Sequence, residues 1–384
     1  MIKRLLLICC VLFPFIISGC KTKGAPSESS SAIFSIIENS SEEFFKNGTI
    51  EKIVLPETSE NSMIATVDQV AVADNGNIYI GDIYSQKVIF EFDPNGVFIN
   101  RFGKLGQGPS EYDSLMSFDI GSDGRVYLLA NNKIIVYSID GKYEKECHIN
   151  YQGGDISIVG NNIFVRSYMA IGDGYFKSDL IKTYDLSLKA KYGLFETDPR
   201  LLIYRFLPNK SLVRWKDLIL FTDVYDLAFN VLDPLTKKAQ RYSFPNNNEK
   251  LLTVWNEKAF DEKERTIIKN NLQRFNDIYS MGQYLCLIEL NRSKKEANIW
   301  LMDYKRKTIN KYPLLALQGK VQVDSTKPIK FDYIAGAYKN GLIFVIESED
   351  KLERIKLDYP QYRNIELGLN TNQLLVFYKI GQNE

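Results

Sequence analysis

At 384 residues, with 45% hydrophobic and 12% aromatic positions, the chain carries enough apolar mass for a large core in one unit or several. Lys and Arg (48) nearly balance Asp and Glu (47), leaving a formal charge of +1. That balance removes the basic excess by which nucleic-acid binders displace counterions, so no nucleic-acid partner is expected.

Residues 1–19 read as an export signal. Lys3 and Arg4 precede an apolar run from Leu5 to Ile17, and Ser18-Gly19-Cys20 supplies small residues and a cysteine. The run falls short of the ~20 residues a bilayer-spanning helix needs. Ile17-Ser18-Gly19-Cys20 resembles a bacterial lipobox, which implies a lipid on Cys20; an ordinary secretory signal cleaved near Ser18–Cys20 is the alternative. Lys21 stands where lipoproteins retained at the inner membrane carry an acidic residue. The resemblance therefore implies an outer-membrane lipoprotein, on the periplasmic side or at the cell surface. Residues 20–47 are expected to be the lipidated cysteine and its tether, polar and Ser-rich from Lys21 to Ser31, with a short helix within Ala32–Lys46.

Residues 48–384 form the predicted folded domain. Thr49–Leu55 alternates as a strand. Val70–Val72, Ile78–Ile80, Val88–Phe92 and Val97–Phe102 are short β-type runs, separated by Asp74-Asn75-Gly76-Asn77 and Asp93-Pro94-Asn95-Gly96. Such turns supply the positive-φ and preset-φ residues that tight hairpins demand. Four antiparallel strands in so short a stretch describe one blade of a β-propeller, and a blade cannot bury both its faces alone. The rhythm recurs over Met116–Tyr151, Ile156–Glu196, Leu212–Phe244 and Ile278–Leu314, and Ile334–Ile346 opens a sixth unit. The expectation is an all-β, six-bladed β-propeller. Its last blade takes Leu374–Ile380 and the N-terminal Thr49–Leu55 as outer strands, which removes exposed edges. Residues 256–276 break the pattern: Phe260, Ile267, Ile268, Leu272 and Phe275 at near-helical spacing, with Asn256 as a cap, predict a helical insertion.

Val70-Ala71-Val72-Ala73-Asp74-Asn75-Gly76-Asn77-Ile78-Tyr79-Ile80-Gly81-Asp82 resembles an NHL repeat, and Phe102–Tyr112 is similar to the loop that follows it in the six-bladed propeller lipoproteins of Bacteroides-like bacteria. The likeness covers Val67–His148. It implies a propeller in an envelope setting and assigns no agreed activity.

Few residues carry chemistry. The glycine-rich Gly103–Tyr112 fits neither phosphate-binding pattern and reads as an inter-blade crossover; Glu111 and Tyr112 are its candidates for reaching a ligand-binding rim. His148 is the one histidine, too few imidazoles for a zinc or iron centre. Cys147 and Cys286, the cysteines left after the signal and the lipid site, are read as separate thiols in different blades, with a disulfide as the alternative. Asp74, Asp93, Asp123 and Asp140 sit in turns, where carboxylates bond their own backbone. Tyr168, Tyr175, Tyr204 and Trp215 lie in or near loops, where aromatic faces stack on sugars or peptides.

The reading is therefore a lipid-anchored binding or scaffolding module for a protein, peptide or glycan, with no catalysis and no cofactor. The alternative is a Ca²⁺-dependent lactonase-like or lyase-like enzyme with convergent carboxylates in the central channel.

Overall fold

A computed structural model describes residues 34–46, 48–170, 179–196, 210–222, 226–246, 270–291, 296–317, 320–322, 331–368 and 370–381, with positions 248, 251 and 263 besides. The N-terminal elements are Ser35–Glu38 (β1), the helix Ser41–Lys46 (α1) and Thr49–Val54 (β2). Blade 1 comprises Gln69–Val72 (β3), Ile78–Asp82 (β4), Val88–Phe92 (β5) and Phe98–Phe102 (β6), followed by the short pair Lys104–Leu105 (β7) and Glu111–Tyr112 (β8). Blade 2 comprises Leu115–Ile120 (β9), Val126–Ala130 (β10), Lys133–Tyr137 (β11) and Tyr143–His148 (β12). Blade 3 is formed by Tyr151–Val159 (β13), Asn162–Ala170 (β14), Asp179–Asp185 (β15) and Ala190–Glu196 (β16). Blade 4 is formed by Leu212–Trp215 (β17), Leu218–Thr222 (β18), Ala228–Leu232 (β19) and Ala239–Ser243 (β20). Arg274–Met281 (β21), Tyr284–Asn291 (β22), Glu296–Asp303 (β23) and Thr308–Leu317 (β24) make blade 5, to which Lys320–Gln322 (β25) is added. Tyr333–Tyr338 (β26), Gly341–Ile346 (β27) and Leu374–Lys379 (β28) make blade 6 together with β2; the helix Glu349–Asp358 (α2) lies between β27 and β28.

Each blade is an antiparallel meander in sequence order, and β2 pairs with β28 to complete the last one. The first strands touch in turn, β3 to β9, β13, β17, β21, β26 and back to β3. At the closing contact β26 runs parallel to β3, with Gly336 opposite Val70. A Cβ on Gly336 would stand 2.4 Å from the Val70 carbonyl, so only glycine lets the two strands approach this closely. This is a β-propeller.

The middle strands are largely apolar because each blade is covered on both faces. β4, β5, β10 and β11 are buried at every residue. The core is consequently divided into slabs between neighbouring blades. Phe102, Phe118 and Leu128 fill the space between blades 1 and 2, and Phe229, Trp300 and Met302 that between blades 4 and 5. Tight turns follow the predicted chemistry: Asp93 accepts the N–H groups of Asn95 and Val97, and Gly96 takes φ +93°.

Two sequence expectations change. Arg274, Phe275 and Asn276 belong to β21 and not to the helical insertion expected over 256–276; positions 263, 270 and 271 are helical, and most of that span lies outside the described residues. Tertiary packing overrides the local spacing here, because Phe275 sits opposite Glu289 in the sheet and edge-on to Phe244 and Trp300. Residues 34–46, placed with the tether, are packed on the propeller. β1 pairs in parallel with β24, Phe44 and Phe45 are buried, and the Tyr378 hydroxyl donates to the Phe45 carbonyl at 3.0 Å. Ser40 and Glu43 cap α1 reciprocally, the Ser40 N–H donating to Glu43 at 2.7 Å. Cys147 and Cys286 are both free thiols, in blades 2 and 5. Cys20 lies outside the described residues, and among those described no helix is long and apolar enough to cross a membrane.

If α1 clasps the ring, Phe44→Ala is expected to cost about 3 kcal/mol, whereas Ile37→Ala, on the exposed β1, should stay within about 0.5 kcal/mol of the parent. Guanidinium unfolding midpoints at constant slope check both.

Candidate functional site

The meander topology gives the ring two unlike faces. Turns between first and second strands and between third and fourth strands emerge on one side, here the turn face. Connections between second and third strands and from blade to blade emerge on the other, the loop face. Apart from 39–48, which carries α1 and enters β2 from its turn-face end, the longer connections leave from the loop face, including 171–178, 197–209 and 318–330, and α2 lies there as well.

Along the axis, carboxylates from first strands tie the blades together, Asp155 and Asp277 toward the loop face and Asp119 nearer the turn-face end of its strand. Asp155, fully buried on β13, accepts the Ser117 hydroxyl of blade 2 at 2.7 Å and the Lys210 ammonium at 2.8 Å through Oδ1. Its Oδ2 accepts the Ser211 and Leu212 N–H groups at 2.7 and 2.8 Å, where blade 4 begins. Asp277 on β21 accepts the Lys210 N–H at 2.9 Å, and Asp119 on β9 accepts the Ile158 N–H of blade 3 at 2.7 Å. Burial holds the Asp119 carboxyl above the usual carboxylate range. Register shifts immediately precede Asp155 and Asp277, bulges that aim both side chains inward.

Tyr84, on the loop between β4 and β5, reaches over this mouth. Its residue surface is 56% open, yet its hydroxyl is pushed up to about 12, first by desolvation and then by Asp68, Asp277 and Asp155. Asp68 belongs to blade 1, Asp155 to blade 3 and Asp277 to blade 5, so a hydroxyl that feels all three must lie near the axis. Asp68 accepts the Ile83 and Tyr84 N–H groups at 2.9 and 3.1 Å and thereby positions that loop. The mouth is thus acidic at its rim, with one lysine inside.

These carboxylates do not fit a calcium site. Among the described residues no three His, Cys, Asp or Glu side chains come together to hold a metal ion. Both oxygens of Asp155 are occupied by N–H and O–H donors, and a lysine ammonium already neutralises it.

The residues singled out in the sequence fall unevenly. Glu111 and Tyr112 lie on the loop face and are engaged in holding their own crossover. Glu111 pairs with Lys104 at 2.5 Å and accepts the Gly108 N–H at 2.9 Å; Lys104 holds its carboxyl below the usual range. Tyr112 is buried, and its hydroxyl donates to the Lys87 carbonyl at 2.6 Å. A Cβ on Gly103 (φ +98°) would meet that hydroxyl at 2.0 Å. Tyr168 lies near the loop-face end of β14, while Tyr175 and Tyr204 lie outside the described residues. Trp215 lies at the opposite end of its strand, at the turn face. It is buried there, its indole N–H donating to the Gly282 carbonyl at 3.0 Å and its ring edge-on to Tyr304. His148 is on an outermost strand, exposed, and 3.9 Å from Glu146.

Asp68, Tyr84, Asp155, Lys210 and Asp277 escaped the sequence reading. A signal for part of the set was present: Asp-Ile recurs inside apolar first strands as Asp119-Ile120, Asp155-Ile156 and Asp277-Ile278.

Fold and mouth define a β-propeller whose axis is closed by inter-blade carboxylate contacts. The chain belongs to the family described as Domain of unknown function (DUF4934), whose model matches residues 42–379. A candidate exported protein of Bacteroides fragilis, 14% identical, superposes with a TM-score of 0.67 over 91% of this chain and 100% of its own. A member of the DUF4221 family from Bacteroides vulgatus, also 14% identical, gives 0.54 over 86% and 97%. At these identities the likeness establishes the fold alone. No curated protein matches the sequence.

Two outcomes follow from the mouth. Asp155→Asn should cost about 3 kcal/mol or more, because it strands a partly buried lysine and turns an amide N–H toward strand N–H donors; Lys210→Met, measured by the same denaturant unfolding, should cost less. Tyr84 has a folded-state value above its ordinary 10, so it leaves stability untouched below pH 10 and lowers it as the pH climbs towards 12. Absorbance titration at alkaline pH, with Tyr84→Phe as reference, reads that ionisation directly.

Proposed function

We propose that the protein is an exported six-bladed propeller, held at the outer membrane by a lipid on Cys20, that binds a protein, peptide or glycan on its loop face without catalysis of its own. The observation that carries this reading is the division of labour between the faces. Apart from 39–48, the long connections leave from the loop face, while the axial carboxylates that a metal-dependent reaction would use are engaged in joining blades. A rigid ring carrying its variable segments on one side is built for presenting a surface. Export is supported by the signal-like residues 1–19 and by the B. fragilis neighbour, itself described as a candidate exported protein.

On this reading Glu111, Tyr168, Tyr175 and Tyr204 mark the partner's side of the ring, and Trp215 does not. Affinity capture from intact envelopes tests it, with Tyr175→Ala/Tyr204→Ala on one face and the exposed turn-face residue Lys238→Glu on the other. The first variant should lose the captured partner and the second should keep it; the reverse pattern would sink the proposal. Cys20→Ala should abolish acylation, and unchanged membrane fractionation with unchanged lipid labelling would refute the anchor.

A further inference from the structure

The turn face has its own character. Over blades 4 to 6 its turns carry Lys216, Lys237, Lys238, Lys305, Lys307 and Lys339, and none of the six pairs with a carboxylate among the described residues. Four of them occupy a backbone region that side-chained residues seldom adopt: Lys216, Lys237, Lys307 and Lys339 have φ between +49° and +57°. Each of these four also sets its ammonium over a ring: Lys216 over Trp215, Lys237 over Tyr192, Lys307 over Tyr304 and Lys339 over Tyr338. The acidic residues at the same turns bend back on their own backbone. Asp233 accepts the Leu235 N–H and the Thr236 hydroxyl, and Asp303 accepts the Lys305 and Arg306 N–H groups. Asp217 is the exposed exception at the turns themselves, and the exposed Glu43 of α1 and Glu51 of β2 add acidic charge beside blades 5 and 6. Leu235, at the tip of one such turn, is 88% exposed. The corresponding turns of blades 1 and 2 carry Asp74, Asp93, Asp123 and Asp140 against Arg125 and Lys142, so the basic character is confined to one side of the ring.

The N-terminal segment leaves from this same place. The Ser35 N–H donates to the Lys307 carbonyl at 3.0 Å, and Phe34 lies edge-on to Tyr242 beneath Lys307. Only thirteen residues lie between Cys20 and Phe34, so the two are at most ~50 Å apart when the segment is fully extended. A lipid on Cys20 would therefore bring the turn face, and not the acidic loop-face mouth, against the bilayer.

We infer that the turn face of blades 4 to 6 is a membrane-apposed surface that binds anionic phospholipid headgroups, so that the loop face points away from the membrane. Lysines fixed over aromatic rings present charge at little further entropic cost, Leu235 enters the interfacial layer, and the lipid on Cys20 gains a charge-dependent second contact that orients the ring. This deepens the anchoring reading and rests on it only for the route of residues 20–33.

The test uses the protein recovered from cells, with Cys147→Ala and a single dye-bearing cysteine at Leu235 (turn face) or Asp113 (loop face). In phosphatidylethanolamine–phosphatidylglycerol vesicles with headgroup nitroxides, the dye at 235 should lose most of its emission and the dye at 113 should keep it. Added salt should weaken the quenching. Lys238→Glu/Lys305→Glu removes two lysines that contact no ring and adopt ordinary backbone angles. It should lower partitioning of unacylated chain to these vesicles roughly 30-fold or more, from about five-fold per lysine. Equal quenching at both positions, stronger quenching at 113, indifference to phosphatidylglycerol, or tighter binding to RNA than to vesicles would each overturn the inference. Mass spectrometry of the N-terminal peptide separates this surface from the anchor. A chain without lipid that still docks through residue 235 sinks the anchor alone, and an acylated chain quenched at 113 sinks the surface alone.

Discussion

The ring depends on how its first strands are joined at the axis. Among the described strands β26 and β3 pair directly there; between the other first strands backbone bonds are sparse, as where the Ile278 N–H donates to the Lys210 carbonyl, and further N–H groups lack ladder partners. A buried N–H without an acceptor costs more than a hydrogen bond returns, so something must fill those positions. Asp119, Asp155 and Asp277 do, each reaching from one blade to the chain entering another. Because carboxylates accept at two oxygens, a single Asp155 serves blade 2, blade 4 and Lys210 together. The cost of burying its charge is offset by that lysine and by full hydrogen bonding.

This constraint shapes what the protein can do. Carboxylates occupied by strand donors are poor metal ligands, which turns an axis that could have housed a reaction into a joint. On the proposed reading, binding falls to the loop-face connections, which leave the joint undisturbed. Rigid turns on the opposite side are free to specialise differently, and their lysines do. On a chain with a net charge of only +1, the turns of blades 4 to 6 are basic while those of blades 1 and 2 carry an acidic excess. Overall neutrality therefore says little about local surfaces.

The N-terminal segment links these themes. β1 adds to the edge of blade 5, α1 packs Phe44 against Tyr312 and Tyr378, and β2 completes blade 6. One continuous stretch therefore closes the ring and delivers the chain to the turn face. Segment 34–46 looked like tether because its sequence is short, polar-flanked and weakly periodic. Phe44 and Phe45 gain their burial only from residues some 270 to 330 positions away, and no local pattern reports such partners.

The sequence by itself determined the strand rhythm, the turn chemistry and the closure by Thr49–Val54. These follow from local physics: apolar runs at strand length, Asn-Gly and Asp-Gly turns, and an N-terminal strand without a neighbour of its own. It also made Glu111 and Tyr112 legible as parts of a crossover. Only the tertiary structure decided that 274–276 is strand, that Trp215 lies at the turn face, and that Asp68, Asp155, Asp277 and Tyr84 meet at one mouth. An aspartate in an apolar strand reads locally as a misfit. It becomes intelligible when the ring brings it to an N–H group from another blade, a contact across sequence separations that strand periodicity does not encode.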